Sequence, residues 1–261
     1  MSTQYTDRVI EGMQSLYGEG FLSPGGPDEM AIFLEGVDLT GCHVLDLGCG
    51  IGGASIMLAG TFGAQHVTGV DVGADLVERA KVAAQAKGVA DKTSFQAIEP
   101  GPFPFEDGSF DVVFIKDVVC HIEDKQAVFS EVARVLKPGG RLMCADFADG
   151  ERKDDMATLY ADWVAAMKAY GLSFHFEALK AYTDAYEEAG LSGFELKDNT
   201  QDSATAAQRE IAFLTGPDVG PLRDALGEEK FAARIQASTM RYGALDAGAL
   251  LHVHMFATKP G

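Results

Sequence analysis

Positive charge is scarce in this 261-residue sequence. Lysine and arginine together number 21 against 39 aspartates and glutamates, a formal net charge of −18. Such a chain is repelled by polyanions, which argues against nucleic acid and anionic membranes as partners and in favour of small cationic molecules. Long apolar runs are missing too. None approaches the roughly 20 residues that cross a bilayer, so no membrane insertion is expected. The opening MSTQYTDRVIEG is polar and acidic, and does not read as a secretory signal. Cysteine is limited to Cys42, Cys49, Cys120 and Cys144, each in or beside an apolar stretch and without metal-type spacing. These predict reduced core thiols in a cytoplasmic protein.

What is present is 47% apolar residues and 30 glycines. From Gly41 to Asp146, short apolar runs alternate with amphipathic stretches, the pattern of βαβ units on a parallel sheet. His43–Leu47, His66–Asp71, Thr93–Ile98, Phe110–Ile115 and Arg141–Asp146 read as strands. In Lys125–Leu136, Val128, Val132, Val135 and Leu136 share one helix face. Lys137-Pro138-Gly139-Gly140 should then end the helix and turn into the next strand. Residues 1–40 read as helical and 153–190 as two helices; Gly193–Lys197 and Leu250–Thr258 read as strands. Between the last two lies a helical insertion, about Asp202–Leu245. Its length predicts a cap over a site rather than a connector.

The run Val44-Leu45-Asp46-Leu47-Gly48-Cys49-Gly50-Ile51-Gly52-Gly53 follows a strand and leads into a helix. Glycines there allow a tight turn with a ligand packed on the backbone. Dinucleotide enzymes have such a turn as well, so two acids decide between the readings. Asp46, just before the glycines, would oppose a pyrophosphate but suits the ammonium or sulfonium of S-adenosylmethionine. Asp71 closes the second strand about 25 residues later, where a carboxylate accepts hydrogen bonds from ribose hydroxyls.

Val44 to Asp71 resembles motifs I and II of class I methyltransferases, and Leu136 to Gly140 resembles the family's post-strand turn. The resemblance implies a Rossmann-like α/β fold, with a seven-stranded, mostly parallel sheet in a single domain over 1–261. A helical lid at 1–40, a nucleoside-binding core at 41–150 and an acceptor side at 151–261 with the insertion at 202–245 would divide it. It implies S-adenosylmethionine as cofactor, held by Asp46, Gly48, Gly50, Asp71, Val72, Ile98 and Glu99, with Asp117 near the methyl donor.

A second resemblance is narrower. Gln4-Tyr5-Thr6-Asp7, then Tyr17-Gly18-Glu19-Gly20-Phe21-Leu22-Ser23-Pro24-Gly25-Gly26, then Asp117-Val118-Val119-Cys120-His121, are similar to the short phosphoethanolamine N-methyltransferases. That family implies a Tyr5–His121 pair that latches the site and moves a proton, with Tyr5 and Ser23 also touching the donor. The chemistry supports the pair independently: an amine attacks only through a free lone pair, and histidine accepts a proton near working pH. Several phosphate-gripping positions depart from the family. Met13 and Phe147 stand where tyrosines are expected, and Met167 where an arginine is. Arg241 takes the place of a lysine, with Lys168 and Tyr170 close to the missing arginine. Loss of an arginine fork weakens recognition of a dianionic phosphate.

The acceptor is therefore expected to be a small molecule, an amine first. S-methylation of a thioether and a non-catalytic nucleoside sensor are the alternatives. Trp163 and Tyr160, three apart on one helix face, read as packing or as part of an aromatic box for the acceptor. His252 and His254 alternate along the last strand and share a face. With no third ligand evident in sequence they read as strand residues, and no metal is expected.

Overall fold

The computed structural model describes residues 6–151, 160–165 and 173–261. Two helices come first, α1 (Asp7–Tyr17) and α2 (Gly26–Phe33). Thr6 caps α1 by accepting the Val9 N–H, and Pro27 sits in the first turn of α2. Next come β1 (His43–Leu47), α3 (Gly53–Gly60), β2 (His66–Asp71), α4 (Ala74–Ala86), β3 (Thr93–Ala97) and β4 (Phe110–Lys116). A 3-10 turn at Val119–His121 leads to α5 (Lys125–Val135) and β5 (Leu136–Asp149). Residues 160–165 are helical. Then follow α6 (Leu179–Glu188), β6 (Ser192–Asp198), α7 (Thr200–Leu214), α8 (Gly220–Leu226), α9 (Glu228–Asp246) and β7 (Leu250–Thr258).

The strands form one seven-stranded sheet in the order β3-β2-β1-β4-β5-β7-β6, with β7 antiparallel to both neighbours. The chain runs outward from β1 through β3, then returns to place β4 on the other side of β1. This reversal splays the loops after β1 and β4 apart, the usual place for a ligand in such sheets.

Both faces of the central strands are covered, so β1, β4 and β5 are largely apolar, whereas the edge strands β3 and β6 are more polar and exposed. One face packs Leu45, Val113, Ile115, Leu142 and Val253 against Phe129 of α5 and Tyr182 and Tyr186 of α6. The other packs Val44, Val112, Phe114 and Met143 against Met30 and Phe33 of α2 and Leu58 of α3. Each such large side chain contributes about 1.5–3 kcal/mol on burial. Helices α7–α9 occupy the stretch expected as an insertion. Ala207 of α7 and Ala237 of α9 pack with Phe147, Tyr160 and Trp163, and Leu222 of α8 meets Leu16 of α1.

β3, β4 and β6 differ from their sequence pattern by at most one residue at each end, and β5 differs more. β5 begins at Leu136, directly after α5, instead of after the Pro-Gly-Gly turn, and runs to Asp149. Pairing accounts for this. Leu136 lies beside Phe110 of β4, and β7 pairs with β5 from Arg141 through Asp149.

Candidate active site

The glycine turn after β1 is closed by backbone bonds. Gly48 and Cys49 N–H groups both donate to the Val70 carbonyl, at 2.8 and 2.9 Å. Gly48 has a φ of 76°, and a Cβ there would collide with Val118, so only glycine fits. Gly53, at the start of α3, donates to the Gly20 carbonyl at 3.1 Å, and a Cβ there would strike that same carbonyl. The segment before α2 is thereby docked backbone to backbone on the turn.

Asp71 ends β2 with both carboxylate oxygens engaged. Oδ2 accepts the Gly50 N–H at 2.9 Å and Oδ1 accepts the Gly73 N–H at 2.8 Å. A carboxylate has about four lone-pair sites, so two remain for ribose hydroxyls. Val72, the next residue, is 68% exposed, an apolar surface set beside that acid. Ile98 is half-buried and its N–H donates to the Asp71 carbonyl at 2.9 Å; Glu99 follows, exposed. Asp46 is buried under the turn and accepts from the Ser55 hydroxyl at 2.5 Å. Burial pushes its carboxyl up to about 7, with the Asp71 charge adding and the Ser55 hydrogen bonds opposing. Such a carboxyl ionises fully when a cation arrives beside it. A glycine cradle, an acid with open lone pairs, an exposed apolar neighbour and a buried acid short of a cation together fit S-adenosylmethionine.

The candidate acceptor side begins where β4 ends. Asp117 adopts a φ of 56°, costly for a residue with a side chain. Its N–H donates to the Ala145 carbonyl at 2.9 Å, and its buried carboxylate pairs with the Lys116 ammonium. His252 Nε2 lies 3.3 Å from Asp117 Oδ1. Burial alone would raise the Asp117 carboxyl, but Lys116 and His252 hold it well below the usual carboxylate range.

His121 ends the 3-10 turn after β4. Its Nδ1 lies 2.7 Å from the Ser173 carbonyl, and its ring stacks on Phe174 with centroids 4.8 Å apart. A carbonyl only accepts, so Nδ1 carries the proton and the neutral ring keeps its lone pair on Nε2. Asp146 builds this turn. It is fully buried and accepts the N–H groups of Val118, Val119 and Phe147 at 3.1, 2.6 and 2.8 Å, and that of Cys120 at 3.2 Å.

The remaining candidates divide. Phe147 is buried beside His252, with ring centroids 4.4 Å apart. Trp163 and Tyr160 are buried and join Phe174 and Phe176 in one aromatic cluster that reaches His121. Ser23 accepts from Lys116 at 3.3 Å. Met13 is half-buried among α2-side core residues. Arg241 is buried and paired with Glu210, its Nε without a hydrogen-bond partner among the described residues. Tyr5, Met167, Lys168 and Tyr170 lie outside the described residues.

Sequence reasoning missed Lys116, Glu29 and Asp146, and set His252 aside. Lys116 Nζ donates to Glu29 at 2.9 Å and to the Pro24 carbonyl at 2.8 Å. Burial would lower this ammonium, yet Asp117 and Glu29 keep it raised and charged. A lysine inside the apolar run Phe114-Ile115-Lys116 was the available signal. Asp146 and Glu29 left none, since their partners are distant in sequence. Cys49, Cys120 and Cys144 are buried free thiols, which burial pushes up and makes unreactive.

Comparison with known proteins agrees with this geometry. Residues 38–203 match the family model of a methyltransferase domain. Phosphoethanolamine N-methyltransferase 1 of Arabidopsis thaliana is 30% identical over 211 residues, covering 80% of this chain and 41% of that protein. The chain thus spans about two fifths of the plant relative's length. Methyltransferase GfsG of Streptomyces halstedii is 33% identical over 203 residues, 76% of this chain and 68% of that one. The solved structure of Haemonchus contortus phosphoethanolamine N-methyltransferase 2, with phosphomonomethylethanolamine and S-adenosylhomocysteine, superposes with a TM-score of 0.86. It shares 24% identity and covers 99% of this chain and 58% of that one. The chain therefore belongs to the methyltransferase-domain family, on the Rossmann-like fold of the class I S-adenosylmethionine-dependent methyltransferases.

Proposed function

We propose that this chain moves a methyl group from S-adenosylmethionine to the nitrogen of a small polar amine, phosphoethanolamine or a related compound. The observation that carries this reading is the 2.7 Å contact of His121 Nδ1 with the Ser173 carbonyl. The Nδ1 proton is committed to that carbonyl, which leaves Nε2 as a base four residues past Asp117. S-adenosylmethionine supplies a methyl carbon on a sulfonium, whose C–S bond breaks as the acceptor's lone pair attacks.

The residues divide the work. Asp71 takes the ribose hydroxyls, Val72 and Ile98 flank the adenine, and Glu99 meets its amino group. Asp46 balances the donor's positive charge, and Gly48 and Gly50 let it lie on the backbone. Asp117 stands beside the methyl donor, held there by Lys116 and His252. His121 Nε2 removes the ammonium proton that would otherwise block attack, with Tyr5 as its partner. Helices α7–α9 exclude water, which strengthens these interactions and keeps the acceptor in line.

Arg241 favours a second reading. Its guanidinium is paired with Glu210 inside the cap, so it is not free to grip a phosphate, and Met13 and Phe147 offer no hydrogen bond to one. An unphosphorylated amine or a thioether fits this better. A thioether needs no base, so the pH profile of kcat separates the two. With nitrogen as acceptor, a proton must leave, so kcat rises with pH in the parent and loses that rise in His121→Ala. A flat parent profile, with kcat nearly unchanged in the variant, would overturn the amine reading.

A further inference from the structure

Glu29, His252 and His254 meet in the interior, away from the glycine turn. His252 and His254 lie two apart on β7 and point to the same face. Glu29 comes from α2, more than 200 residues earlier in the chain. All three are buried, at 6%, 2% and 2% exposure. The two imidazoles converge on one atom: Glu29 Oε1 lies 3.3 Å from His252 Nε2 and 3.4 Å from His254 Nε2. The three atoms lie within 4.8 Å of one another.

We propose that Glu29 Oε1, His252 Nε2 and His254 Nε2 bind a divalent d-block cation of the zinc type. Three features carry it. The first is distance. With metal–ligand bonds of about 2.0–2.1 Å, the edge of a tetrahedron is about 3.3–3.4 Å. Charged hydrogen bonds are shorter, about 2.7–2.9 Å. The two nitrogen–oxygen separations match the edge. The second is charge. Lys116 binds the other oxygen of Glu29, Oε2, at 2.9 Å and is also paired with Asp117. That leaves Glu29 Oε1 and the two imidazoles facing one another, with His252 Nε2 also 3.3 Å from Asp117 Oδ1; an ion that displaces the protons from these nitrogens meets the two-histidine, one-carboxylate donor set suited to it. The third is the support behind the ligands. The side-chain nitrogen of Asn199, Nδ2, lies 3.1 Å from His252 Nδ1; with the amide's oxygen and nitrogen exchanged, the oxygen accepts the proton that a metal-bound imidazole carries on Nδ1. The ring faces of His252 and His254 rest on Phe147 and Phe33, with centroids 4.4 and 4.5 Å apart.

An ion there would tie α2 to the last strand. It would hold the Ser23–Gly26 turn that precedes α2, and it would take His252 Nε2 from Asp117, leaving that carboxylate to Lys116. Three protein ligands leave a fourth position on a tetrahedral ion.

The test uses the full chain without a polyhistidine tag, stripped with a chelator and dialysed. Titration with cobalt(II) chloride should give the visible bands of tetrahedral cobalt, saturating at one equivalent, and zinc chloride should bleach them stoichiometrically. His254→Ala should abolish the bands, and Asn199→Ala should weaken zinc binding by about 10–100-fold. Absence of bands in the parent, together with no zinc retained after equilibrium dialysis, overturns the proposal. So do bands of full intensity in His254→Ala. That variant's fold is checked by circular dichroism. If it does not fold, the parent titration and Asn199→Ala decide alone. None of these readouts depends on methyl transfer.

Discussion

The proposed donor half and the proposed acceptor half of this site are built in opposite ways. The donor half is local. Asp46, the glycine turn and Asp71 lie within 26 residues, and their contacts run between neighbouring strands. Its polar groups are held by backbone N–H groups and by one serine. The acceptor half is assembled across the whole chain. Lys116 joins Glu29 to Asp117, His252 reaches back to both, and His121 leans on Ser173. Its charges are held by other charges, in the interior. A local site built on backbone tolerates change elsewhere. A site of mutually dependent buried charges does not, because removing one partner strands another.

Four measurements would sharpen or break this contrast. The largest effect is expected at His121. His121→Ala should lower kcat by about 10²–10⁴ while leaving donor affinity nearly unchanged, read by steady-state kinetics and calorimetry. A matching loss of donor affinity would merge the two halves. Next comes Arg241, which the ion pair with Glu210 makes a stability residue. Arg241→Met should destabilise the fold by about 1.5–3 kcal/mol in chemical denaturation, since Glu210 loses one of its two arginine partners and keeps Arg234 at 3.1 Å. The ratio of kcat/KM for phosphorylated and free amines should stay the same. A selective loss of the phosphorylated acceptor would restore Arg241 to the acceptor pocket.

Asp71 should matter to the donor alone. Asp71→Ala should weaken S-adenosylmethionine binding by about 1.5–3 kcal/mol in a calorimetric titration. Unchanged affinity would remove it from the site. The smallest effect concerns Asp46 and pH. Its folded carboxyl titrates at about 7, above the ordinary value of 3.8. The folded chain thus holds a proton that the unfolded chain has lost, so this group's contribution to stability falls as pH rises through that window. Donor binding moves the other way, since a cation needs the ionised acid. Affinity should rise by up to about tenfold per pH unit until pH 7 and then level off. Asp46→Asn should flatten the profile, and a flat parent profile would show that Asp46 does not sense the ligand's charge.

The legible parts follow from periodicity. His43–Leu47, His66–Asp71 and Leu250–Thr258 are strands with the bounds read from the sequence, and α5 ends one residue before its expected stop. Strands buried on both faces and helices buried on one leave unmistakable patterns. The antiparallel setting of β7 and the early start of β5 left no such trace, because hydrogen-bonded partners decide them.

The sequence alone determined the sheet core, the glycine turn and the two acids that flank it. Those features depend on residues close in the chain, where spacing translates directly into geometry. It also marked Asp117 and His121 as candidate site residues. Only the tertiary structure decided what surrounds them: Asp146 beneath the His121 turn, Lys116 between two carboxylates, and Glu29 against His252 and His254. Buried charges need partners, and the partners come from wherever the fold brings the chain back, a choice that no spacing along the sequence encodes.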